Sequence, residues 1–150
     1  MAIQIGDKLP NFAATKQDGS TFDIHEIHEK PVVIYFYPKD FTPGCTAQAC
    51  SFRDSYQDFK DLGAEVIGVS GDSASSHQNF QQKYKLPFIL LSDADRKLRR
   101  LFGVPTALFG LLPGRVTYVF DAKGYCIYIF DSLSSKNHIE RALKAIRKVK

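Results

Sequence analysis

Residues 32–37, Val32-Val33-Ile34-Tyr35-Phe36-Tyr37, form an unbroken apolar run that stops at Pro38. β-Branched and aromatic side chains at successive positions predict a central strand covered on both faces. The runs Glu65-Val66-Ile67-Gly68-Val69-Ser70 and Phe88-Ile89-Leu90-Leu91 predict two more buried strands. Between the first two runs the period changes. Cys45, Ala49, Phe52, Tyr56 and Phe59 recur at spacings of four and three, the stripe of an amphipathic helix. Thr42 is its expected N-cap, Pro43 suits the first helical position, and Gly63 can end it after about residue 62. Further helices are expected over about 75–84 with Ser73 or Ser75 as cap, over 96–102, and over about 136–149 with Ile139, Leu143 and Ile146 on one face. Asp18-Gly19 predicts an N-terminal hairpin, and Asp121-Ala122-Lys123-Gly124 joins strands 116–120 and 125–131 into a second. Strands alternating with helices, closed by a hairpin and a helix, predict an α/β fold with a mixed central sheet flanked by helices.

With 150 residues and 44% apolar side chains, the chain can bury roughly 70% of its unfolded surface in one core. Neither a repeat nor a linker divides it, so residues 1–150 read as a single domain. The 20 Lys and Arg exceed the 16 Asp and Glu by only four and are scattered, apart from short clusters at 96–100 and 141–150. That is not the gathered basic patch of a nucleic-acid binder. The apolar runs are far below the ~20 residues that span a bilayer, so no membrane partner is expected. The opening residues show neither a basic nor an apolar signal region, which makes the cytoplasm the expected location; a plastid protein without its transit peptide would look the same. Three cysteines, an odd number, argue against an extracellular disulfide framework. Cys45 and Cys50 lie close together and Cys126 stands alone.

Cys45 falls in the opening turn of the first helix, where backbone N–H groups lack partners and the helix dipole adds partial positive charge. Both favour the thiolate, the nucleophilic form. An ordinary thiol is only about 3% ionised at pH 7, so complete ionisation gains roughly 30-fold. Large rate accelerations need more than that. When a thiolate attacks an electrophile, negative charge develops on the departing atom, and fixed donors around it would supply the rest. The Thr42 hydroxyl, first-turn amides and an arginine are the obvious kinds of donor.

Cys50 lies five residues on, in the polar row Thr46, Cys50, Arg53, Gln57. Five helical residues give a rotation of about 140° and a Cα separation of roughly 8–9 Å. A disulfide needs about 4.4–6.8 Å, so an intact helix cannot hold a Cys45–Cys50 bond. The pair has other readings: two inert buried thiols, a structural zinc site completed by His25 and His28, or part of a chaperone-like interaction domain. The zinc reading is weakened by spacings unlike common zinc-finger order and by two cysteines pointing to different faces of one helix.

Pro38-Lys39-Asp40-Phe41-Thr42-Pro43-Gly44-Cys45 matches the peroxiredoxin pattern P-x-x-x-T-x-x-C. Together with Cys50 and Phe52-Arg53-Asp54, it is similar to the Q-type or bacterioferritin-comigratory subgroup. The likeness continues through Gly68-Val69-Ser70-Gly71-Asp72, Leu86-Pro87-Phe88, Leu91-Ser92-Asp93 and 112–119, nearly the whole chain. The order of elements also suits the thioredoxin-like layout of that family. The resemblance implies that Cys45 is the peroxidatic cysteine, oxidised to a sulfenic acid by hydrogen peroxide or an organic hydroperoxide. Thr42 would hydrogen-bond the peroxide and the thiolate, Pro38 would shield the pocket, and Arg115 would stabilise thiolate and transition state. Cys50 would resolve the sulfenic acid as an intramolecular disulfide, which thioredoxin or a similar dithiol reduces. Sulfur does the redox chemistry, so no bound metal, haem or flavin is implied. Relatives of this type are often monomers, and a monomer is expected.

Several residues receive ordinary readings. Arg53, Arg96, Arg99 and Arg100 carry the same charge as Arg115, and each alone reads as a solvated side chain. Cys126, between Tyr125 and Ile127, reads as a small core residue. His77, His138 and the His25/His28 pair fall in polar, loop or helix-surface contexts and receive no role. Phe102, Leu108 and Phe109 read as core or pocket edge.

Overall fold

The computed structural model describes residues 2–27, 29–107, 112–132, 134 and 136–149. Strands β1 (Ala13–Lys16) and β2 (Thr21–Asp23) form the expected N-terminal hairpin. Strand β3 (Val32–Phe36) leads to helices α1 (Pro43–Asp54) and α2 (Tyr56–Asp61) and then to β4 (Glu65–Ser70). Helix α3 (Ala74–Tyr84), β5 (Ile89–Ser92) and the short α4 (Lys97–Phe102) follow. Two-residue strands β6 (Thr106–Ala107) and β7 (Leu112–Pro113) pair with each other. The chain ends with the hairpin β8 (Val116–Phe120) and β9 (Cys126–Asp131) and helix α5 (His138–Lys148).

Seven strands form one sheet in the order β2-β1-β5-β4-β3-β8-β9. β3, β4 and β5 are parallel, while β1 and β8 join them antiparallel. This is the mixed, thioredoxin-like sheet that the element order predicts. The period-2 alternation of β3 explains its continuous hydrophobicity. Val33, Tyr35 and then Tyr37 face a core closed by α1, α2, α3 and α5, while Val32, Ile34 and Phe36 face a second core closed by α4 and the N-terminal hairpin. Phe52 of α1 stacks on Tyr35, ring centroids 4.5 Å apart, and is fully buried. An aromatic side chain buried in this way contributes about 1.5–3 kcal/mol, so the face of α1 that carries Cys45 is held firmly on the sheet.

The structure corrects the expected elements in two places. The helix expected to run unbroken to about residue 62 divides at Ser55, whose backbone (φ −98°, ψ 3°) leaves the helical range. Serine supports helix weakly because its side chain competes for the backbone. The second helical piece still stops just before Gly63, which takes the left-handed region at φ 74°. His77 and His138 are not surface residues; both are fully buried. His138 Nε2 lies 2.9 and 3.0 Å from the carbonyls of Ser132 and Ser134, and Nδ1 lies 2.7 Å from the Thr117 hydroxyl. Burial pushes its pKa below the ordinary 6.5. His28, Leu108 and Phe109 lie outside the described residues, whereas Phe102 is a fully buried core residue, as expected.

Candidate active site

β3 ends at Phe36, and Tyr37 extends it by one more sheet bond, from its N–H to the Val69 carbonyl. Pro38 follows, half-buried, and has no N–H with which to continue the ladder. A buried polar knot holds the loop between Pro38 and α1. Asp40 accepts from the Tyr37 hydroxyl (2.6 Å) and the Ser76 hydroxyl (2.9 Å), and its Oδ2 lies 2.6 Å from His77 Nδ1. His77 Nε2 lies 2.9 Å from the Leu91 carbonyl, which can only accept, so that nitrogen carries a hydrogen. The Asp40 N–H donates to Asp72. Phe41 takes a left-handed backbone (φ 65°), an unfavourable state for a bulky residue. Its ring rests on Phe80, centroids 5.0 Å apart.

Thr42 occupies the N-cap position of α1, but its hydroxyl does not cap the helix. It donates backward to the Lys39 carbonyl at 2.9 Å. Pro43 takes the first helical position, as expected, and Cys45 stands third, 2% exposed on the inner face. Helix-terminal positive potential therefore reaches a sulfur largely removed from water, where it is screened little.

Arg115 sits one residue before β8, adjacent to β3, and is 5% exposed. Its Nη2 lies 3.4 Å from Cys45 Sγ, and its Nη1 donates to Gln48 Oε1. The guanidinium is thus aimed at the sulfur by a side chain from the same helix turn. Gln48 was not singled out in the sequence. The signal was present: a polar residue three positions after Cys45 shares the apolar stripe of α1. Tyr35 lies beneath this group, and burial first, then the nearby Cys45 and Asp40, push its phenol well above the ordinary range. It therefore stays protonated at any working pH.

Gly44 explains how the guanidinium comes so close. A Cβ there would lie 3.1 Å from Arg115 Nη2. Alanine is the better helix former by up to about 1 kcal/mol, which offsets part of the cost of crowding the buried guanidinium, so Gly44→Ala is expected to lower stability by no more than about 2 kcal/mol. The same change displaces the guanidinium and should slow oxidation of Cys45 by peroxide several-fold. Thermal denaturation and rapid-quench oxidation, measured on the same protein, check both effects.

Cys50 lies on α1 with its side chain half-buried, and both it and Cys45 are free thiols. Cys126 is 1% exposed in the core on the opposite side of the sheet. Burial pushes its thiol up to about 11. The structure therefore brings Cys45 and Arg115 together, places Pro38 and Thr42 on the loop that leads into α1, and leaves Cys126 apart. The Cys/His zinc reading finds no support. His25 is exposed against Asp23, and among the described residues the group of side chains close enough for a metal is Asp40, Asp72 and His77, without either cysteine.

A model of the AhpC/TSA family matches residues 5–129. The chain belongs to this family. It is 54% identical over 146 residues to chloroplastic peroxiredoxin Q of Triticum aestivum, an alignment that covers 97% of this chain and 67% of the wheat protein. Among solved structures, peroxidoxin BcpB of Mycobacterium tuberculosis superposes with a TM-score of 0.90 at 32% identity, covering 99% of both chains. The bacterioferritin comigratory protein of Xanthomonas campestris, studied for alkyl peroxide reduction, gives 0.85 at 29% identity, covering 95% of this chain and 99% of that one. As a member of the AhpC/TSA family with these peroxiredoxin relatives, the chain is a thiol-dependent peroxidase, with a peroxide as oxidant and a thiol as reductant.

Proposed function

We propose that Cys45 is the peroxidatic cysteine and Cys50 the resolving one. The observation that carries this reading is the Arg115 guanidinium 3.4 Å from Cys45 Sγ at the start of α1. In the first step the Cys45 thiolate attacks one peroxide oxygen, the O–O bond breaks, and water or an alcohol leaves with a proton. Arg115 stabilises the thiolate and the charge arriving on the departing oxygen. The Thr42 hydroxyl hydrogen is committed to Lys39, so its lone pairs are left to accept from the peroxide O–H and orient it. Pro38 shields the pocket on the side of the β3 exit.

In the second step the Cys50 thiol attacks the Cys45 sulfenic acid, water leaves, and the disulfide forms. A dithiol such as thioredoxin restores both thiols by exchange. Two features support Cys50 over Cys126: it shares α1 with Cys45, and it is the partly exposed thiol. Positions five apart on an intact helix are too distant for a disulfide, so the first turns of α1 must unwind. Unwinding also exposes a sulfur that is 2% exposed in the folded helix and so closed to a protein reductant. The chain would act as a monomer on hydrogen peroxide and small organic hydroperoxides. The chloroplast relatives favour a plastid over the cytoplasm.

Amide hydrogen exchange tests the reading. The amides of residues 46–52 should be protected in the reduced protein and exchange at least about tenfold faster after one equivalent of peroxide. Equal protection in both states would overturn the unwinding step.

A further inference from the structure

We propose that Arg99 is a positioning residue of this site, a bridge that sets the separation of Pro38 from Arg115. This rests on the assignment of Cys45 and Arg115 above. Arg99 is a buried guanidinium, 9% exposed, rather than a solvated one. Its Nη2 donates to the Tyr37 carbonyl at 2.9 Å and its Nη1 to the Gly114 carbonyl at 3.3 Å. Those two carbonyls immediately precede Pro38 and Arg115.

The sheet register shows why a bridge is needed there. β3 and β8 pair from Val32↔Phe120 to Phe36↔Val116, and the ladder stops at that pair. Beyond that pair, Pro38 follows two residues after Phe36 on one side, and Arg115 lies one residue before Val116 on the other. Pro38 has no N–H to extend the pairing. A planar guanidinium with a fixed fork of donors can span two carbonyls, which an ammonium cannot do with the same geometry.

The remaining contacts hold Arg99 itself in place. The Asp93 carboxylate accepts from the backbone N–H groups of Leu98 (2.7 Å) and Arg99 (3.0 Å), which fixes the start of α4. The Phe36 ring lies under the guanidinium, 5.6 Å from Cζ. Among the described residues no carboxylate comes within ion-pair distance of it. A cation buried with carbonyls and a ring as its direct contacts, and the Asp93 charge only at longer range, is costly. At this location its geometric effect is to tie together the strand exits that carry two groups of the site.

The test compares peroxide with a reagent that does not need the site's geometry. Arg99→Met, which fills a similar space without donors, and Arg99→Lys are compared with wild type by rapid-quench mass spectrometry. Cys45 is followed with hydrogen peroxide and, separately, with iodoacetamide at a pH where the thiol is ionised. Misplacement of reacting groups by about 1 Å costs on the order of 100-fold. Arg99→Met is therefore expected to slow peroxide oxidation about 10- to 100-fold while alkylation stays within about twofold. Arg99→Lys keeps the charge but not the fork and should remain at least about fivefold slow towards peroxide. If Arg99→Met does not fold, the lysine variant alone decides. Wild-type peroxide rates in either folded variant, or an equal loss towards both reagents, would overturn the proposal. A wild-type Cys45 inert to peroxide would instead overturn the underlying assignment of the site.

Discussion

Replacing Arg115 by methionine is expected to slow oxidation of Cys45 by hydrogen peroxide about 10²- to 10³-fold, the usual effect of removing a fixed donor from a developing oxyanion. The magnitude separates two roles. If Arg115 only favoured the thiolate, its loss could cost no more than the roughly 30-fold between an ordinary thiol and full ionisation at pH 7. Raising the pH would then restore the rate. If Arg115 also stabilises charge on the departing oxygen, the deficit exceeds that limit and persists at alkaline pH. The geometry favours the second role, because Gln48 fixes the guanidinium and Gly44 leaves room for it at the sulfur. Rapid-quench rates from pH 6 to 10 make the distinction. A deficit that disappears at high pH would limit Arg115 to the ground state. Stability should fall by about 1–3 kcal/mol as the buried Gln48 oxygen loses its donor, so rates are to be compared well below the melting transition.

The second large effect is expected from Cys50→Ser. This variant should still consume about one equivalent of peroxide but lose thioredoxin-supported turnover by at least about 100-fold, since no neighbouring thiol converts the sulfenic acid into a disulfide. Excess peroxide should then carry Cys45 on to the sulfinic acid, a gain of about 32 Da in intact mass over the thiol. Cys126 is not expected to compensate. It lies across the sheet in the other core, 1% exposed, with a thiol pushed up to about 11. Normal turnover by Cys50→Ser would show that another thiol, from this chain or from the reductant, resolves the intermediate.

Much of this was legible in the sequence because it depends on local chemistry. The continuous apolar run at 32–37, the proline that ends it and the Thr-Pro helix start are enough to place Cys45 at a helix N-terminus. The octet 38–45 carried the family resemblance, and that alone distinguished Arg115 from four other arginines. What was not legible depends on contacts distant in the chain. Arg99 joins residues 62 and 15 positions away, and no local pattern separates it from the exposed Arg100 beside it. His77 is buried because Asp40, 37 residues earlier, lies opposite it. The Thr42 hydroxyl faces Lys39 rather than its own helix, a choice between two neighbouring partners that the sequence leaves open. A weak helix former at Ser55 permits the break there, but propensity alone does not specify it.

The most direct test of the account is intact mass and free-thiol count after one equivalent of hydrogen peroxide, for wild type and for Cys45→Ser. Wild type should lose about 2 Da and two of its three thiols within seconds, with peptide mapping placing the bond between Cys45 and Cys50, and Cys45→Ser should lose neither. If wild type kept all three thiols over minutes, Cys45 would not be a peroxidatic cysteine and the assignment of the site would be wrong.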